Sequence, residues 1–384
     1  GAMFVTAYLL ILAWQKDYGH AVTAPQQQAA AVIAHDVSAD LPNAQNAIAA
    51  SDVPQANVTA SPAPESSSAS QQLISVQTDL YHLWINPKGG DIVRIELLSH
   101  DQSKNGDQPF VMLENDAKRT YVAQSGLIGL NGPDSSRTGR PMYDVEKTTY
   151  TLADAKTIAS KDGKTAQVLT VPLVFKTPEG VEVIKTFTFK QGDYPITVKH
   201  QVVNRSAQNW QGQMFGQLKR DNSDDPGKSS QGIFTLGTFL GGAWGTPEAT
   251  YNKLKFSNFS DEKLSLEAKS AWVAMVQHYF VSAWIPGNLK LTQADGQPYT
   301  AKLESRQSTD KMNIIGFTSP VINVPAGTSM EVDAKLYAGP KIQSELKDLA
   351  VGLNQTVDYG WLWPIAKLLF IGLQFFHNIV GNWG

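Results

Sequence analysis

The 384-residue chain contains no cysteine, which excludes disulfides, thiolate metal sites and a cysteine nucleophile. Neither sign of charge dominates: Lys+Arg 32 against Asp+Glu 35 leaves a formal charge of -3. That balance supplies no whole-chain basic field to gather nucleic acid, so no nucleic-acid partner is expected. Lysine and arginine are missing between Lys16 and Lys88, and Phe, Trp and Tyr are missing between Tyr18 and Tyr81. Residues 19–72 are instead Ala, Gln, Ser, Pro, Val and Asn with a few acids, Asp36, Asp40, Asp52 and Glu65 among them. Such a stretch cannot bury enough apolar surface to offset the entropy of ordering it, and it reads as a disordered tether.

Motifs of known chemistry are lacking as well. There is no G-x-S-x-G elbow for a serine nucleophile and no H-E-x-x-H metal helix. The 7 histidines (His20, His35, His82, His100, His200, His278 and His377) are scattered without ligand spacing. The glycine cluster around Phe239 and Trp244, at 237–245, has neither G-K-[ST] nor G-x-G-x-x-G spacing, so it reads as a loop or bulge with Phe239 and Trp244 as a partner-contact surface. The acidic turn at 221–227 begins like a calcium loop, but Pro226 displaces its glycine and Gly232 stands where the twelfth-position glutamate belongs. It reads as a mobile loop. No metal, cofactor or catalytic residue is expected, and the protein is not read as an enzyme.

What the chain does contain, from about residue 73, is a series of short β-type runs separated by turn residues. Val181, Val183, Phe187 and Phe189 share one face of a strand at 181–190, interrupted by Lys185, and 196–202 alternates likewise. The turn at 191–195 joins the two as a hairpin. Further strands are expected at 81–85, 92–98, 167–175, 271–284, 313–318 and 331–337. Strands at this spacing without regular helices between them imply a large antiparallel β-sandwich at 73–339. A helix follows at 340–354, with Ile342, Leu346, Leu349 and Leu353 on its packing face and Pro340 in its first turn.

Both ends carry membrane signals. The run AMFVTAYLLILAW at 2–14 is uncharged but shorter than the roughly 20 residues a spanning helix needs. Gly1-Ala2-Met3 has the look of residues left by tag cleavage, so 1–18 reads as a truncated transmembrane segment whose natural start lies earlier. A cleavable signal peptide is the rival, with Ala21-Val22-Thr23-Ala24 an imperfect cleavage site. At the other end, 361–384 places Lys367, Gln374 and Asn378 on a narrow polar face of a helix. Trp361, Trp363, Ile365, Leu369, Phe370, Phe375, Phe376, Ile379 and Trp383 supply its apolar and aromatic bulk. This is the pattern of an amphipathic helix lying in a lipid bilayer interface.

Four ordered motifs carry a family resemblance: LWINPKGGDIVRIEL at 83–97, WVAMVQHYFVSAWIP at 272–286, LYAGPK at 336–341, and VDYGWLW at 357–363 running on to GNWG at 381–384. Together they resemble the YidC membrane protein insertase family of Gram-negative bacteria, across nearly the whole chain. One departure is Lys367-Leu368-Leu369-Phe370, where the family usually has a proline before Leu-Phe; here Pro364 comes earlier, which shifts or kinks the start of the terminal helix.

The resemblance implies a mainly β fold, an antiparallel β-supersandwich similar to mutarotase-like domains, with C-terminal helices. It implies a bacterial inner-membrane protein whose main domain sits in the periplasm and which aids insertion and folding of inner-membrane proteins. Its implied partners are SecDF and the SecYEG translocon, nascent inner-membrane proteins and lipid. The insertion chemistry belongs, by resemblance, to five further spans expected after residue 384. The alternative is a periplasmic carbohydrate-binding protein or mutarotase-like enzyme, with Trp210, Trp244, Trp272 and Trp284 available to stack on sugars.

Overall fold

The computed structural model describes residues 72–357, apart from 104–105, 137–138, 160–164, 227–238 and 292–295, together with Gly372. The first half of the described chain forms β1 (Ile74–Gln77), β2 (Tyr81–Asn86), β3 (Asp91–Asp101), β4 (Pro109–Asn115), β5 (Thr120–Ile128), β6 (Asp144–Val145), β7 (Thr149–Thr151), β8 (Lys156–Ala159), β9 (Thr165–Lys176), β10 (Val181–Lys190) and β11 (Pro195–Asn204). The second half forms β12 (Trp210–Arg220), β13 (Gly241–Gly245), β14 (Asn252–Lys255), β15 (Ser265–Ala268), β16 (Trp272–Val276), β17 (Phe280–Leu291), β18 (Gln297–Pro298), β19 (Ala301–Gln307), β20 (Asn313–Thr318), β21 (Ile322–Val324) and β22 (Ser329–Pro340). A short helix α1 (Gln343–Leu349) and a 3-10 turn at Leu353–Thr356 follow.

These strands make two sheets of 11 strands each. The first runs β15-β19-β20-β12-β5-β4-β3-β2-β1-β7, with β21 also on β12. The second runs β14-β13-β16-β17-β22-β11-β10-β9-β6, with β18 on β17 and β8 on β9. Packing two sheets face to face needs strands with one apolar face, and the β10–β11 hairpin shows the pattern. Val183, Phe187, Ile196, Val198 and Val202 are all buried, and the register sets Phe187 opposite Val198. Each such side chain contributes about 1.5–3 kcal/mol by leaving water.

The two sheets close on one apolar core, crossed by polar links. Tyr81 shares its single hydroxyl proton between the carbonyls of Tyr194 and Ala338, both 2.6 Å away. Trp284 Nε1 donates to Gln217 O at 3.1 Å, and Tyr121 and Ser282 share a short hydrogen bond. A buried Tyr or Trp polar atom is costly to leave unpaired, so each of these links also favours one offset between the sheets.

Three expectations change. The run at 271–284 is two strands, β16 and β17, because Gln277 N donates to Phe280 O at 3.0 Å and closes a turn. The glycine cluster is not a loop at 241–245: β13 pairs with both β14 and β16 there. The C-terminal helix is shorter than 340–354. Pro340 ends β22, paired with Phe280, and α1 begins only at Gln343. It stops where Ala350 turns extended and Gly352 takes φ 80, a conformation suited to glycine.

Candidate interaction surfaces and a buried charge cluster

The alternation of β10 does not break at Lys185. The side chain is wholly buried and its ammonium reaches across to the other sheet, donating to Gly89 O at 3.0 Å, Gly90 O at 2.7 Å and Ser125 O at 2.8 Å. Gly89 and Gly90, at φ 77 and 63, form the tight turn between β2 and β3 that points these carbonyls inward. A Cβ at Gly90 would lie 2.9 Å from the Lys185 side chain, so the close approach itself demands glycine.

Arg140 lies over the same carbonyls. Its Nε donates to Asp134 Oδ1 at 2.7 Å, its Nη1 to Asp91 Oδ2 at 2.5 Å, and its Nη2 to Gly89 O and Ser125 O at 3.1 and 2.8 Å. Burial works against the guanidinium charge, but Asp91 and Asp134 more than offset it and hold the group protonated. Burial pulls the Lys185 ammonium down to about 7, aided by Arg140 and opposed by Asp91 and Asp134. Opposite Lys185 on the neighbouring strand β11 is His200, wholly buried with neither ring nitrogen paired among the described residues. Burial, then Lys185 and Arg140, push it well below the ordinary histidine range, so it is neutral.

This cluster anchors the loop between β5 and β6, and that loop exposes two large apolar side chains. Leu130 is 69% exposed and Met142 45%. With Pro133, Pro141, Phe175 and Pro178 they line an open groove of about 440 Å³. Thr177 and Glu179 separate it from a second groove of about 530 Å³ bounded by Gln208, Asn209 and Trp210. Sequence reading missed both, since the loop has no periodicity; its density of Gly and Pro between two strands was the available signal.

Of the surface predicted in advance, Phe239 and Trp244 are described and half-buried. Trp244 lies on β13 opposite Val273 and Asn252, and both aromatic side chains pack partly against the core. Lys253 Nζ sits 5.2 Å from the Phe239 ring centre, leaving a small cation-aromatic patch beside the sheet edge. Trp361, Trp363, Ile365, Lys367, Leu369, Phe370, Phe375, Phe376, Ile379 and Trp383 lie outside the described residues, although Gly372 among them is helical.

Trp210, Trp272 and Trp284 are 3% exposed or less, so they serve the core and cannot stack on a sugar. The acidic turn is also engaged. Asp221 accepts from Thr120 N and Ser223, and Asp225 from Arg220 and Gln277. Among the described residues no group of His, Asp or Glu is placed to hold a metal, and no helix is long and apolar enough to cross a membrane.

Comparison with known proteins agrees on one family. The membrane protein insertase YidC of Pseudomonas putida strain GB-1 is 42% identical over 385 residues, covering 100% of this chain and 65% of that protein. The one from Azotobacter vinelandii strain DJ is 40% identical over 388 residues, with the same coverage. The chain thus spans 65% of the length of these relatives. Among solved structures, a galactose mutarotase related enzyme from Lactobacillus acidophilus covers 69% of this chain and 97% of its own at 10% identity, TM-score 0.38. A galactose mutarotase-like protein from Lactobacillus casei covers 69% and 99% at 12% identity, TM-score 0.37. Nothing about activity follows from likeness at that level. The profile of the YidC periplasmic domain matches residues 73–371, most of the chain, and the chain belongs to that family.

Proposed function

We propose that this chain is the periplasmic accessory domain of a membrane protein insertase of the bacterial inner membrane. It aids insertion and folding of inner-membrane proteins, alone or with the Sec translocon, and works by docking and positioning rather than by covalent chemistry. The observation that carries this reading is the match to insertases along the whole chain, 42% identical to the Pseudomonas putida protein. The sequence of the apolar terminal segment 361–384, which as a helix would set Lys367, Gln374 and Asn378 on one face, supports a lipid contact as part of this proposal.

Liposome flotation tests the lipid contact. A protein lacking the apolar run 2–14 is expected to float with vesicles, and further deletion of 361–384 is expected to abolish flotation. Equal flotation of the two would overturn the interfacial helix. For the partner surface, a photocrosslinker at Phe239 is expected to form adducts with SecDF or SecYEG subunits in inner membranes. Adducts from other faces of the sandwich, with none from Phe239, would remove Phe239 and Trp244 from the docking surface.

A further inference from the structure

Away from the Lys185 cluster, a second group of buried charges is left incompletely neutralised. Arg220, at the end of β12, is 0% exposed and Arg119, just before β5, is 5% exposed. Both address one carboxylate oxygen: Asp225 Oδ1 lies 2.7 Å from Arg220 Nη2 and 3.8 Å from Arg119 Nη2. Gln277 Nε2 donates to the same oxygen at 2.6 Å. Glu114, the next acid to act on Arg119, is already paired with Arg94 at 2.5 Å. Arg119 Nη1 and Nη2 donate to the carbonyls of Val111 and Met112, and Arg220 Nη2 donates also to Ser223 O.

Among the described residues, three guanidinium donors of this cluster have no acceptor: Arg119 Nε, Arg220 Nε and Arg220 Nη1. The rings of Tyr121 and Phe256 lie 4.8 and 5.6 Å from the Arg220 guanidinium carbon and offset part of the charge. They offer no in-plane acceptor for those N–H groups. Among the described residues these two guanidinium groups share the single carboxylate of Asp225, so one positive charge lacks its own counter-ion there, and an uncompensated buried charge is strongly unfavourable.

We propose that Arg119, Arg220 and Gln277 form an oxyanion receptor, with Asp225 as its built-in occupant and room in its chemistry for one further carboxylate or phosphate group. Asp225 is the member of the cluster nearest to solvent. Its side chain is 15% exposed against 0% for Arg220, and Asn222 in the same turn is exposed. Planar guanidinium donors match both carboxylate and phosphate, which is why the two classes share the proposal. The receptor is independent of the insertase assignment and stands or falls on anion binding alone.

The test is thermal unfolding of the whole chain in acetate, inorganic phosphate or chloride at equal ionic strength, for the wild type and for Asp225→Ala. Removing Asp225 vacates the receptor, so its loss of stability is expected to be rescued by phosphate or acetate, with a rise in Tm of about 2–4 °C over chloride. The wild type is expected to gain a smaller anion-specific shift. A response to acetate alone assigns the receptor to carboxylates, and a response to phosphate alone assigns it to phosphate. Adding Arg220→Lys or Arg119→Gln to Asp225→Ala is expected to remove the rescue. Equal Tm in all three salts for both proteins would overturn the proposal, as would rescue that survives loss of both arginines. If Asp225→Ala fails to fold, Asp225→Asn is used with the same readout.

Discussion

Lys185 Nζ lies 2.8 Å from the Ser125 carbonyl, tying β10 in one sheet to β5 in the other. The same ammonium holds Gly89 and Gly90, so a single buried cation joins the two sheets and the β2–β3 turn. Gly89 O and Ser125 O have Arg140 as a second donor, whereas Gly90 O has Lys185 as its side-chain donor. Lys185→Met keeps most of the volume and removes the donor, so it is expected to cost about 1–3 kcal/mol. Lys185→Ala adds a cavity and is expected to cost more, about 3–5 kcal/mol. Urea unfolding measures both; a Lys185→Met midpoint equal to wild type would show that the ammonium is not a structural tie.

Stability should fall as the solution is acidified through neutrality. The folded chain holds Lys185 near 7 while the unfolded chain holds it near 10.5, so between those values the unfolded state binds more protons. By linkage this contribution to stability rises with pH across that window, and the cost of burying the ammonium is present in full below it. His200 acts with the same sign at lower pH. Its folded form stays neutral while the unfolded ring protonates below 6.5, so stability drops further as pH falls through that range. The Lys185 and His200 contributions to the unfolding free energy should therefore both increase with pH, which the differences between wild type and the two variants from pH 5 to 9 measure. Lys185→Met should flatten the part above 7, and His200→Leu the part below 6.5. Because His200 has no hydrogen-bond partner to lose, His200→Leu should stay within about 1 kcal/mol of wild type at pH 8.

Gly352 should tolerate no side chain. Its φ is 80, and a Cβ there would run into the Thr250 carbonyl. The neighbouring anchor is Trp272 Nε1 donating to Val351 O at 2.9 Å. Gly352→Ala is expected to cost about 1–3 kcal/mol and to expose the segment after α1 to protease. Wild-type cleavage rates within 341–357 would show that this docking contact is dispensable.

Tyr81→Phe isolates a single inter-sheet link. It leaves the carbonyls of Tyr194 and Ala338 without their shared donor at almost unchanged volume. A loss of about 1–2 kcal/mol is expected by equilibrium unfolding. No change would mean that water serves those carbonyls equally well.

The β10–β11 hairpin was legible because its information is local: a period of two in apolar residues and a Gly-Asp-Tyr-Pro turn between the runs. The family too was legible, in ordered motifs such as LWINPKGGDIVRIEL at 83–97. The break at 277–279 was not, since Gln277, His278 and Tyr279 interrupt an apolar run no more strongly than a bulge would. Nor was the end of β22 at Pro340, where pairing with Phe280, sixty residues away in sequence, outweighs helix-start chemistry.

Composition, periodicity and motif order, all readable along the chain, are enough to establish a cysteine-free antiparallel sandwich of this family with an apolar terminal segment. The role of Lys185 is not readable that way. In the chain it interrupts an apolar face; in the fold it completes one, because carbonyls 96, 95 and 60 residues away converge on it. The pairing of Arg119 and Arg220 over Asp225 has the same origin. Burial and the arrangement of partners decide whether a charged side chain meets water or a buried acceptor, and both arise only when distant strands pack.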